Sequence, residues 1–170
     1  MLKKSDICTN INEPEDKDIL TRPLFAVNMR LFRTSPKYKA LVLAACDYIA
    51  ECCQHEQDGR ESYIGFSGAN AGVPWDIIAV KRANGTGPIV MLNTALEMSQ
   101  RAPMKSYESC GSIPNGRTFM VDRDPQVVAI YYNREGQRSS YVSDGFSEST
   151  VIQHEVDHND GILLTDRAIK

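Results

Sequence analysis

His154-Glu155-Val156-Asp157-His158 is a stretch of residues suited to metal chemistry. Two histidines four apart on a helix lie one turn apart on one face, so both imidazoles can reach a single ion. The glutamate beside the first can then take a proton from a water on that ion. A catalytic site of this kind has three protein ligands and one open position. No third ligand stands out downstream. Gly161 fits the pattern in which a later histidine completes the set, but the final position is Leu164, and no histidine or glutamate follows His158. Asp160 is too close to His158, and Asp166 lies in a tail read as strand or coil. His55 sits in a polar loop over 54–62 and reads as a solvated histidine. Among the cysteines, Cys8 lies in an N-terminal arm. Cys46, Cys52 and Cys53 belong to a helix, where they read as small core residues. Cys110 stands alone in the turn-prone segment 108–116 and is the best third ligand, since a bound thiolate is deprotonated outright.

The elements that must position these groups follow from pattern. Residues 1–34 read as an extended arm anchored by Ile19, Leu20 and Leu24. Ser35-Pro36 predicts a helix start, with an apolar stripe from Tyr38 to Cys52 and an end near 53. Residues 63–72, rich in glycine and alanine, read as a tight loop or a backbone wall for a substrate. Short apolar runs predict strands over 76–80, 89–92, 119–121, 127–132 and 139–142, with a hairpin turn at 133–137. Ser147 reads as the N-cap of the histidine-bearing helix, which stops at Asn159 or Gly161. The length of 170 residues fits one domain over 1–170. A net charge of −3 favours neither nucleic acid nor an acidic membrane as partner. No apolar run is long enough to span a bilayer. Five cysteines, an odd count without framework spacing, argue against a disulfide scaffold, so a cytoplasmic protein is expected.

Taken together, Glu108-Ser109-Cys110-Gly111-Ser112 and Gln153-His154-Glu155-Val156-Asp157-His158 resemble the second and third motifs of peptide deformylases. Ile113-Pro114, Arg117 and Leu92-Asn93 also fit, and the resemblance runs over roughly 36–166. The first motif is similar but altered in Tyr63-Ile64-Gly65-Phe66-Ser67-Gly68-Ala69-Asn70. There tyrosine replaces a glycine, Ser67 and Gly68 replace paired alanines, and Asn70 replaces glutamine. Gly111 replaces a leucine.

The resemblance implies an α+β fold, with antiparallel β-sheets packed around a C-terminal metal-binding helix and an added N-terminal helix. It implies one divalent ion, native Fe(II) with Ni(II) or Zn(II) able to substitute, held by Cys110, His154 and His158. Glu155 is the implied general base. The implied reaction is removal of formyl from N-formylmethionine on nascent peptides. The backbone N–H of Gly111 and the amide of Asn70 are the implied oxyanion donors, with Asn70 about 1.5 Å short of a glutamine's reach. The peptide is expected to lie along Ile64-Gly65 and Ser109, with its methionine in an apolar pocket formed by Ile64, Gly111, Val151 and His154 and partly closed by Tyr63. Glu108 either pairs with Arg123 or is solvated. A monomer with at most transient ribosome contact is expected. The short C-terminus is similar to organellar and bacteriophage forms, and the N-terminal arm does not look like an Arg-rich transit peptide, so a bacterial or bacteriophage source is expected over an organelle. Two alternatives share the motif: a metallopeptidase, and a silent homologue that binds peptides or a partner.

Overall fold

The computed structural model describes residues 10–53, 63–113 and 116–169, so Cys8, His55 and the 54–62 loop fall outside the described residues. Three helices come first: α1 (Pro14–Leu20), α2 (Met29–Thr34) and α3 (Pro36–Cys52). Strands β1 (Gly65–Ser67), β2 (Ile77–Lys81), β3 (Pro88–Met98), β4 (Met104–Ser109), β5 (Thr118–Arg123), β6 (Val127–Tyr132) and β7 (Arg138–Val142) follow. Helices α4 (Gly145–Asn159) and α5 (Leu164–Arg167) close the described chain.

Five antiparallel strands form one sheet in the order β1-β2-β3-β6-β7, and β4-β5 form a separate two-stranded ribbon. Strand β2 reads Ile-Ile-Ala-Val, without alternation, because both its faces are covered. Ile77 and Ala79 pack with Val42, Cys46 and Ile49 of α3. Ile78 and Val80 pack with Ile152 of α4 on the other face. The fold is thus the expected α+β arrangement, with sheets around the histidine-bearing helix.

Helix α3 begins as the sequence predicts: the Ser35 hydroxyl accepts from Tyr38 N at 3.3 Å, and Pro36 takes the first turn. The stretch read as an extended arm is partly helical instead. Pro14 starts α1 with Glu15 and Asp16 in its first turn, where acidic side chains suit the helix dipole. Asn28 caps α2 by accepting from Leu31 N. Between these helices the chain is extended and pinned. Asn93, at φ 53°, accepts from Val27 N and donates to Val27 O at 2.7 and 2.9 Å. Leu24 N donates to Asn159 O at the end of α4.

Three more expectations change. The 63–72 loop contains β1, a three-residue strand too short for a pattern. Helix α4 starts at Gly145, with Asp144 rather than Ser147 at its N-cap; the Glu148 carboxylate folds back to accept from Asp144 N at 2.5 Å. The tail read as strand or coil holds α5, whose first turn is closed by Asp166 accepting from Leu163 N.

Candidate metal and catalytic site

Helix α4 is buried yet polar. Glu148, Ser149, Thr150, Gln153, Glu155, Asp157, His158 and Asn159 are all shielded from solvent. Buried polar groups must find partners or a function, and most here have partners. Gln153 bonds Asp124 N and O, and Asn159 bonds Asp76 and Ile77 O. What remains is a face turned toward a cleft of about 830 Å³ between β1, the β4 ribbon and α4.

That cleft is lined by the residues that the resemblance assigned to metal, catalysis and substrate. Tyr63, Ile64, Gly65 and Asn70 line it from the β1 side. Ser109, Cys110 and Gly111 enter from the end of β4. Val151, His154, Glu155 and His158 come from α4. The ligand atoms of Cys110, His154 and His158 all lie within 4.8 Å of one another. Cys110 Sγ stands 3.1 Å from His158 Nε2, where ligands around a tetrahedral ion would stand about 3.5 Å apart. Glu155 Oε2 is buried with no hydrogen-bond partner among the described residues. A thiolate, two imidazoles and a carboxylate with an unused oxygen fit a divalent ion with an open position.

Charges behind the ligands fix their orientation. His154 Nδ1 lies 2.8 Å from Glu108 Oε2, which leaves its other ring nitrogen for the ion. Arg123 grips Glu108 with two bonds, at 2.8 and 2.9 Å, and donates to Asp157 Oδ2 at 2.5 Å. Arg167 of α5 holds the other Asp157 oxygen at 2.7 Å. The Glu108–Arg123 pair left open by the sequence is therefore formed, and it is buried. The Asp157 and Arg167 links were not read from the sequence; an aspartate inside the motif beside a lone downstream arginine was the only cue.

Burial pushes the Glu108 pKa up, but the hydrogen bonds from Arg123 and His154 outweigh it and bring it to about 2. Burial likewise opposes the charged form of His154, yet its contacts with Cys110 and Glu108 raise its pKa. His158 is driven the other way, by burial and by the neighbouring His154 charge. Burial lifts Glu155 to about 7, only partly offset by His154 and by the Ser67 hydroxyl. A carboxylate poised there exchanges protons readily near neutral pH.

The altered first motif has its own logic. A Cβ on Gly65 would come within 2.6 Å of both Glu155 Oε1 and Val151 Cγ1, so glycine lets β1 lie directly against the base. A Cβ on Gly68 would meet Trp75 O at 2.3 Å. Asn70 is held firmly: its Oδ1 accepts from Ser67 N at 3.1 Å and Ser67 Oγ at 2.5 Å, and its Nδ2 donates to Ser112 Oγ at 2.9 Å. Ile64 and Val151 line the cleft, but so do Ser106, Ser147 and Thr150.

Comparison with known proteins agrees with this geometry. The family model described as polypeptide deformylase matches residues 59–170. A peptide deformylase of Desulforudis audaxviator is 32% identical over 109 residues, which span 64% of this chain and 69% of that protein. One from Dictyoglomus thermophilum is 34% identical over 108 residues, 63% of this chain and 67% of its own length. The crystal structure of peptide deformylase from Thermotoga maritima superposes with a TM-score of 0.75 at 20% identity, covering 96% of this chain and 97% of that one, a likeness of fold. On the match of the family model across most of its length, with the two histidines, the cysteine and the glutamate gathered in one cleft, the chain belongs to the polypeptide deformylase family.

Proposed function

We propose that Cys110, His154 and His158 hold one divalent ion, Fe(II) in the cell, and that Glu155 is the general base in hydrolysis of an N-formyl amide. The reaction is that of the family: the chain removes the formyl group from N-formylmethionine peptides, releasing formate and a free amine. When bound, the ion supplies Lewis acidity, which brings a water's pKa toward neutrality and polarises the formyl carbonyl.

The protein's own groups do the rest. Glu155, set against the Gly65 backbone and lifted to about 7, accepts the proton of the attacking water and later hands it to the departing amine. Glu108, locked by Arg123, holds His154 in one orientation. Gly111 N–H and the Asn70 amide stabilise the developing oxyanion, with Asn70 oriented by Ser67. The peptide backbone runs along Ile64-Gly65 and Ser109, and its first side chain lies beside Tyr63 and Val151. The protein acts as a monomer on nascent chains in the cytoplasm, with only passing contact to the ribosome.

The observation that carries this reading is the convergence of Cys110, His154 and His158 within 4.8 Å, beside a buried carboxylate oxygen left without a partner. Formate release from formyl-Met-Ala-Ser by metal-loaded protein tests it. Glu155→Gln should cut turnover by about 100-fold or more while metal content stays unchanged. Equal rates would remove Glu155 from the chemistry, and cleavage of the peptide bonds instead would make the enzyme a peptidase.

A further inference from the structure

Two contacts tie the end of β4 to α4 in matching steps. Cys110 meets His158 at 3.1 Å, and Glu108 meets His154 at 2.8 Å. Two residues of strand and four of helix each advance about 6 Å. The next pair back along both elements is therefore Ser106 and Thr150. Ser106 shares the inward face of β4 with Glu108, and both are buried. Thr150 is 9% exposed, lines the cleft, and its hydroxyl has no hydrogen-bond partner among the described residues.

Val121 and Leu164 pack on Cys110 and do not line the cleft. Ser106 and Thr150 line the cleft together with Ile64, Phe146 and Val151, which supply apolar wall for a methylene stem. A buried hydroxyl with nothing to bond is costly, and a ligand that offers an acceptor relieves that cost. A thioether sulfur is a weak acceptor. A sulfoxide oxygen on the same stem is a strong one.

We propose that this pocket selects a first side chain ending in a hydrogen-bond acceptor, and that peptides beginning with N-formylmethionine sulfoxide are substrates, with Thr150 and Ser106 as the donors. The inference rests on the deformylase reading. The bond changes are unaltered: water adds its oxygen to the formyl carbon, the C–N bond breaks, the amine takes a proton, and the sulfoxide is untouched.

The test compares kcat/KM for formyl-Met-Ala-Ser and for both sulfoxide epimers of it, using the full metal-loaded chain. One epimer should be cleaved at least as efficiently as the thioether. Thr150→Val, which keeps the shape and removes the hydroxyl, should lower the ratio of kcat/KM for that epimer to kcat/KM for the thioether about tenfold. Ser106→Ala should move the same ratio in the same direction. Rejection of both epimers by wild type, or equal effects of Thr150→Val on both substrates, would overturn the proposal. If no substrate releases formate, the activity itself fails. Binding of the uncleaved peptides then decides the pocket: tighter binding of a sulfoxide upholds it, equal or weaker binding overturns it.

Discussion

Helices α3 and α4 flank the same sheet, and they bury opposite kinds of side chain. Helix α3 turns Val42, Cys46, Ile49 and Cys52 onto Ile77 and Ala79. Helix α4 buries glutamate, glutamine, aspartate, asparagine and histidine. Cysteine shows what the difference does. On the α3 side, burial pushes Cys46 up to about 12 and Cys52 to about 11, so both stay protonated at neutral pH and act as small apolar residues. Cys110, set between the imidazoles of the other side, is positioned to ligate. Location alone separates a packing thiol from a metal thiol.

Exchanging the thiols should break that contrast most sharply. Cys110→Ala should abolish stoichiometric metal binding and lower formate release by more than about 100-fold. Cys46→Ala should keep the ion and lose only about 1 kcal/mol of stability through a small cavity. Metal analysis and thermal unfolding of the two variants read this out; a Cys110 variant with full metal content would erase the distinction.

The sequence made much of this legible because local rules govern it. Histidines at i and i+4 and a cysteine in a turn-prone loop mark the candidate ligands without long-range knowledge. The Ser35-Pro36 start and the unbroken apolar run of β2 follow from capping and two-sided burial. What stayed hidden depends on tertiary partners. Strand β4, Met-Lys-Ser-Tyr-Glu-Ser, has no apolar alternation because its inward face presents Ser106 and Glu108 to the cleft. Helices α1, α2 and α5 are 7, 6 and 4 residues long, too short to show a period. The Asp157 bonds to Arg123 and Arg167 join residues far apart in sequence.

The buried ion network sharpens the comparison further. Arg123→Met removes one partner from each of Glu108 and Asp157, and weakening the pairing of such buried charges costs up to about 3–5 kcal/mol. Because Glu108, and with it His154, is then held less firmly, metal affinity should also fall about 10- to 100-fold. Chemical denaturation and metal titration check both, and unchanged affinity would confine Arg123 to a structural role.

The smallest expected effect is at the altered first motif. Asn70→Ala should lower kcat by about tenfold or more with the ion retained. An unchanged kcat would place the second oxyanion donor elsewhere.

X-ray absorption at the metal edge of the loaded protein addresses the ligand set without relying on activity. One sulfur at about 2.3 Å and two imidazole nitrogens at about 2.0–2.1 Å are expected. A first shell with no sulfur in the unmodified protein would contradict a site built from Cys110, His154 and His158.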